Sequence, residues 1–89
     1  MSLEKNWVLH ISPGVYKFLE KIPRHDAGRI FSEIENLRES PFNGDVKKKR
    51  GEEDIWRKRA GSYRIFYELL QDKTIIIVFH VERRTSSTY

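Results

Sequence analysis

Ile55-Trp56-Arg57-Lys58-Arg59-Ala60-Gly61-Ser62-Tyr63-Arg64-Ile65-Phe66-Tyr67 is the stretch that decides the fold. A Gly-Ser pair between two alternating runs predicts a β-hairpin with a two-residue turn. Ala60 then pairs with Tyr63, Arg59 with Arg64, Lys58 with Ile65, Arg57 with Phe66 and Trp56 with Tyr67. Strand alternation sorts the side chains into two sets. Trp56, Ala60, Tyr63, Ile65 and Tyr67, with the stem of Lys58, form a core face. Arg57, Arg59, Arg64 and Phe66 share the other. Arg59 stands directly opposite Arg64, a like-charge pair that is unfavourable unless an anion binds between them. A polyanion is the expected occupant.

Outward from the hairpin, Thr74 to Val81 is apolar on both faces and predicts a central strand, reached through a turn at Gln71-Asp72-Lys73. Arg83 to Tyr89 reads as a polar tail. On the other side, Val46 to Arg50 is a candidate short strand after the turn-rich crossing Pro41 to Asp45. Near the start, Trp7-Val8-Leu9-His10-Ile11 alternates as a half-buried strand with Trp7, Leu9 and Ile11 inward. Ser12-Pro13 then supplies an N-cap and an N1 proline. Val15, Phe18, Leu19 and Ile22 make one apolar stripe, and Pro23 interrupts it. Ala27, Ile30, Ile34 and Leu37 make a second stripe, stopped by Ser40-Pro41. The expected architecture is α+β in the order β-α-α-β-β-β: a two-helix hairpin packed on one face of a largely antiparallel sheet.

With 89 residues and no internal repeat or linker, the chain reads as a single domain over residues 1–89. It contains no cysteine, which removes disulfides and thiol chemistry. There is no run of eighteen apolar residues and no signal-peptide core, so a cytoplasmic protein without a membrane partner is expected. A net charge of +4 is modest, and its distribution matters more. Lys47, Lys48, Lys49 and Arg50 form a run, followed by Arg57, Lys58, Arg59, Arg64, Arg83 and Arg84. Glu33, Glu35 and Glu39 fall in the second helix, which predicts a basic sheet side and a mixed helical side. The plain alternative for Lys47 to Arg50 is a solvated loop.

Order and spacing together resemble the RelE/ParE superfamily of toxins from toxin–antitoxin pairs. The resemblance is carried by Leu37-x3-Pro41, Lys49-Arg50-Gly51, Trp56-Arg57-x-Arg59-x-Gly61-x-Tyr63-Arg64-Ile65-x-Tyr67, Val81-Glu82-Arg83-Arg84 and Tyr89, and runs from Trp7 to Tyr89. It implies a type II toxin with a cognate RelB-like antitoxin, a free toxin that is monomeric, and no cofactor. The RelE branch implies metal-independent endonuclease cleavage of messenger RNA on the ribosome. The ParE branch implies an inhibitor that binds DNA gyrase, and an inactive binding module is a third reading. The matched positions imply catalytic roles for Arg64, Arg59, Arg84, Tyr89 and Arg57, with substrate held by Arg50, Lys49, Lys48, Phe66 and Arg83. Aligning Val81-Glu82-Arg83-Arg84 favours Arg84 as the late arginine, whereas counting back from Tyr89 favours Arg83.

Cleavage without metal requires removal of a 2′-hydroxyl proton, stabilisation of the phosphorane and protonation of the departing 5′-oxygen. Guanidinium groups suit the second task, being planar, permanently charged and bidentate toward phosphate. They are poor bases. Arg57 and Arg59 stand where relatives carry lysines, which leaves the base open among Tyr89, Lys49, Glu52 and His80. The pure protein is expected to leave free RNA mostly intact. For His80, between Phe79 and Val81 on a buried strand, the plain expectation is a hydrogen-bonded sheet residue. Phe66, on the arginine face, is the aromatic placed to stack on a base.

Overall fold

The computed structural model describes residues 7–42, 46–48 and 55–84, with the backbone alone at 46–48. The elements are β1 (Val8–Ile11), α1 (Pro13–Glu20), α2 (Arg24–Asn36), β2 (Val46–Lys48), β3 (Ile55–Ala60), β4 (Tyr63–Leu70) and β5 (Ile75–Arg83). They form one sheet in the order β1-β5-β4-β3-β2. The pair β1–β5 is parallel and the other three are antiparallel. The order β-α-α-β-β-β therefore stands, lengthened by the three-residue edge strand β2.

Local chemistry explains each boundary. Ser12 is extended and Pro13 opens α1, although the Ser12 hydroxyl makes no cap bond. The Ser12 backbone N–H instead donates to the Val78 carbonyl at 2.9 Å, tying the helix start to the sheet. Pro23 precedes α2, and Asp26 lies in its first turn, where a carboxylate complements the helix dipole. That helix closes at Asn36, before Ser40-Pro41, because the backbone tightens into turns: the N–H groups of Leu37, Arg38 and Glu39 reach back three residues. The β3–β4 turn has Gly61 at φ 62°, the left-handed conformation that the first position of a type II′ turn requires.

The helices cover one face of the sheet. Tyr63, Ile65, Tyr67 and Leu69 of β4 and Ile76, Val78 and Val81 of β5 are buried against Val15, Ile30, Ile34 and Leu37. Each such aliphatic side chain contributes about 1.5–3 kcal/mol of transfer free energy, an upper bound for the crystal-like packed state. Leu9 and Ile11 of β1, and Trp7 just before it, pack onto this core, while Val8 and His10 are exposed. Polar groups fix the layers. The Tyr63 hydroxyl donates to Asp26 Oδ2 at 2.9 Å and the Tyr67 hydroxyl to the Pro41 carbonyl at 2.7 Å. Lys58 Nζ lies 2.8 Å from Glu33 Oε1. Lys58 is thus an internal strut to α2 and stands apart from the other hairpin cations.

The opposite sheet face has no described element over it. β5 is an interior strand, flanked by β1 and β4, yet its outer side is open: Phe79 and His80 are exposed. This corrects the expectation of a buried His80. A register shift between Phe66 and Tyr67 pairs Phe66 with His80 and Tyr67 with Val78, leaving Phe79 as the extra residue. The bulge turns two consecutive β5 side chains away from the helices. Among the described residues no helix is long and apolar enough to cross a membrane.

Candidate functional site

The hairpin register is the one expected from the sequence: Arg59 opposite Arg64, Arg57 opposite Phe66, and Lys58 opposite Ile65. Because directly paired residues share a face, the open side carries Arg57 and Arg59 from β3 and Arg64 and Phe66 from β4. β5 adds Glu82, paired with Arg64, and His80, paired with Phe66. Arg64, half exposed, has Nη1 at 3.7 Å from Glu82 Oε2. Glu82 uses its other oxygen toward His80, whose Nε2 lies 3.2 Å from Oε1. The Phe66 ring stands 5.4 Å from the His80 ring and 6.5 Å from that of Phe79, tilted in both cases.

The late arginines separate. Arg83 pairs with Tyr63 and places its guanidinium carbon 5.8 Å from the Tyr63 ring centroid, on the helix side of the sheet. Arg84 sends its backbone N–H to the Ser62 carbonyl at 2.6 Å, extending the β4–β5 ladder by one residue. Alternation therefore puts Arg84 on the side of Arg64 and Glu82. The strand register brings Arg57, Arg59, Arg64 and Phe66 to one face and leaves Arg83 off it, with Arg84 one residue beyond β5. In the β2 register Lys47 pairs with Arg57 and Lys48 with Trp56. Lys49, Arg50, Glu52 and Tyr89 lie outside the described residues.

Two members of this face went unassigned in the sequence reading: Glu82 as the partner of Arg64, and Phe79 as a second exposed ring. The spacing His80-x-Glu82 was the available signal, since residues two apart on a strand share a face. Among the described residues, Tyr63 and Tyr67, whose ionisation is displaced, belong to the other side of the sheet. Burial, with Asp26 accepting its hydrogen bond, pushes the Tyr63 phenol up, and burial raises Tyr67 well above the ordinary phenol range.

Chemically, the open face combines planar cations that bind phosphate through paired donors with flat rings that accept a stacked base. It is a flat cationic patch on a two-layer α+β domain. The model of the family described as the ParE toxin of the type II toxin–antitoxin system parDE matches residues 9–87. A toxin named RelE1 from Methanocaldococcus jannaschii is 30% identical over 79 residues, covering 85% of this chain and 88% of the relative. The archaeal RelE of Pyrococcus horikoshii, solved as a RelE–RelB complex, superposes with a TM-score of 0.79 at 24% identity, over 93% of this chain and 100% of that one. The RelB–RelE antitoxin–toxin complex from Methanococcus jannaschii gives a TM-score of 0.68 at 30% identity, over 84% and 90%. The isolated E. coli RelE toxin gives 0.76 at 20% identity, over 91% and 87%, a likeness of fold. The chain belongs to the RelE/ParE family of toxins of type II toxin–antitoxin systems.

Proposed function

We propose that this toxin is a metal-independent endoribonuclease that cuts messenger RNA on the ribosome. The observation that carries the reading is the gathering of Arg57, Arg59 and Arg64 on one open sheet face, with Arg59 and Arg64 in direct register. Two guanidinium groups at the cross-strand separation of ~5 Å bracket a single phosphate. In this reading Arg64 and Arg59 hold the scissile phosphodiester, Arg84 supports its developing charge, and Phe66 stacks on a neighbouring base. Arg57, Lys49 and Arg50 extend the cationic track, and Tyr89 completes the site, while Lys48, in register with Trp56 where Lys47 is in register with Arg57, drops out of the expected substrate contacts. Arg83, tied to Tyr63, serves the scaffold in place of the substrate contact expected of it.

The partner is a RelB-like antitoxin, as in the complexes of the archaeal RelE relatives. The protein works in the cytoplasm, where ribosome and message supply the alignment that a flat site with few enclosing walls does not. The family model's ParE description favours a second reading, a binding-only toxin directed at DNA gyrase. Primer-extension mapping of a message on translating ribosomes separates the two. Cuts phased with codons, lost in Arg64→Ala, are the result expected of the nuclease. Growth arrest with intact message and inhibited gyrase would replace it with the second reading.

A further inference from the structure

Arginines leave the proton transfers of such a cleavage unassigned, and the open face supplies a group of the right kind. His80 is fully on the solvent side, with its ring beside Phe66 and its Nε2 at 3.2 Å from Glu82 Oε1. Glu82 Oε2 faces Arg64 Nη1 at 3.7 Å. A carboxylate bridging an imidazole and a phosphate-binding guanidinium places base and phosphate site about one cross-strand diagonal apart, ~7–8 Å between backbones and within side-chain reach. Resting on the ribonuclease reading above, we propose that His80 is the general base of this toxin and Glu82 the residue that positions it.

The carboxylate accepts the Nε2 proton and so fixes the tautomer with a lone pair on Nδ1, which faces the substrate. Nδ1 takes the 2′-hydroxyl proton as the 2′-oxygen attacks the adjacent phosphorus. The bond from phosphorus to the 5′-oxygen breaks, giving a 2′,3′-cyclic phosphate and a 5′-oxyanion. The oxyanion takes a proton from water, and the hydroxide left behind removes the proton from Nδ1, which resets the site. Glu82 stabilises the imidazolium in between, and Arg64 the phosphorane. Among the residues with described side chains, the other charged or titratable groups on this face are Glu68 of β4, paired with Ile77, His10 of β1, paired with the same residue, and Arg57 and Arg59 of β3. Arg84 closes the row at the ladder's end.

The test is single-turnover cleavage on stalled ribosomes programmed with a defined message, followed against pH for wild type, His80→Gln, Glu82→Gln, Glu82→Asp and Arg64→Ala. Both target side chains are about half exposed (52% and 42%), so the variants are expected to fold, with unfolding midpoints measured alongside. His80→Gln should lose about a hundredfold to a thousandfold in rate and lose the rise in rate with pH that a general base produces. Glu82→Gln should shift that rise along the pH axis, Glu82→Asp should restore part of it, and ribosome affinity should be unchanged in the three His80 and Glu82 variants. If His80→Gln cuts at the wild-type rate, or slows with the pH profile intact, the assignment falls while the ribonuclease stands through Arg64→Ala. If wild type leaves the message whole, both fall together. The newly formed 3′ ends must carry cyclic phosphate, and a 3′-hydroxyl product would also overturn the mechanism.

Discussion

Arg64 and Glu82 face each other across the β4–β5 ladder at 3.7 Å, beyond hydrogen-bond length, with both side chains more than a third exposed. An ion pair of that length in solvent holds the guanidinium in position at little energetic gain, worth about 1 kcal/mol or less. A phosphate that offers two short parallel bonds displaces it readily. The pairing orients Arg64 without consuming it.

Arg64→Ala should therefore lower cleavage on the ribosome by about 10²–10³-fold, the usual scale for one preorganised charge stabiliser. Arg64→Lys should recover only part of this, because an ammonium lacks the planar fork. The rate of cuts at a single mapped codon is the measurement. Near-complete recovery with lysine would show that charge alone suffices.

Lys58 provides the internal contrast. It sits in sequence between Arg57 and Arg59 but joins Glu33 at 2.8 Å on the helix side. Lys58→Met keeps the apolar stem and should cost about 1 kcal/mol of stability by denaturant unfolding, since the pair is mostly shielded. Cleavage should stay within about threefold of wild type, in contrast with the loss expected of general electrostatic stabilisers.

Tyr67 is fully buried and donates to the Pro41 carbonyl. Tyr67→Phe should cost about 1–3 kcal/mol, because the carbonyl is left without its donor. The phenol is raised by burial above its ordinary value of about 10. The stability this contributes is complete below pH 10 and drains away as pH climbs through the raised value, because only the unfolded chain ionises first. Unfolding midpoints of wild type should fall between pH 10 and 12 more steeply than those of Tyr67→Phe, and equal slopes would remove Tyr67 from the account.

Thr74 takes φ 50° in the turn between β4 and β5, a left-handed conformation that a β-branched residue adopts at a cost. Its hydroxyl bonds only the exposed neighbouring carbonyl of Lys73. Thr74→Gly should stabilise the protein by about 0.5–1 kcal/mol after the extra entropy of glycine is counted. A rise of ~2–5 °C in the unfolding midpoint would register it.

How far the sequence could be read depended on the range of each contact. A two-residue turn led by Gly61 dictates every partner along β3 and β4, so the arginine face followed from spacing alone. Ser12-Pro13 and the two apolar stripes likewise fixed both helices locally. The bulge at Phe66/Tyr67 had no such signature, because it lies in the pairing of β4 with β5 and inserts Phe79 where strict alternation would bury it. His80 is a separate case: the run Thr74 to Val81, apolar on both faces, predicts a strand covered on both sides, whereas the outer face of β5 is open. Arg83 and Arg84 could not be told apart by counting, and the cation over the Tyr63 ring separates them only in three dimensions.

The parallel seam between β1 and β5 joins Val8 to Ile75, so one edge of the sheet closes through strand partners far apart in the chain. The β3–β4 ribbon, by contrast, is built from neighbours and belongs to the contacts that form fastest. The β4–β5 ribbon is just as local, so Glu82 and His80 join the cations through chain neighbours, and it is β1 that must return from afar. The open face therefore rests on local closure, and a fault in the long-range seam would loosen β1 before it disturbed the cations.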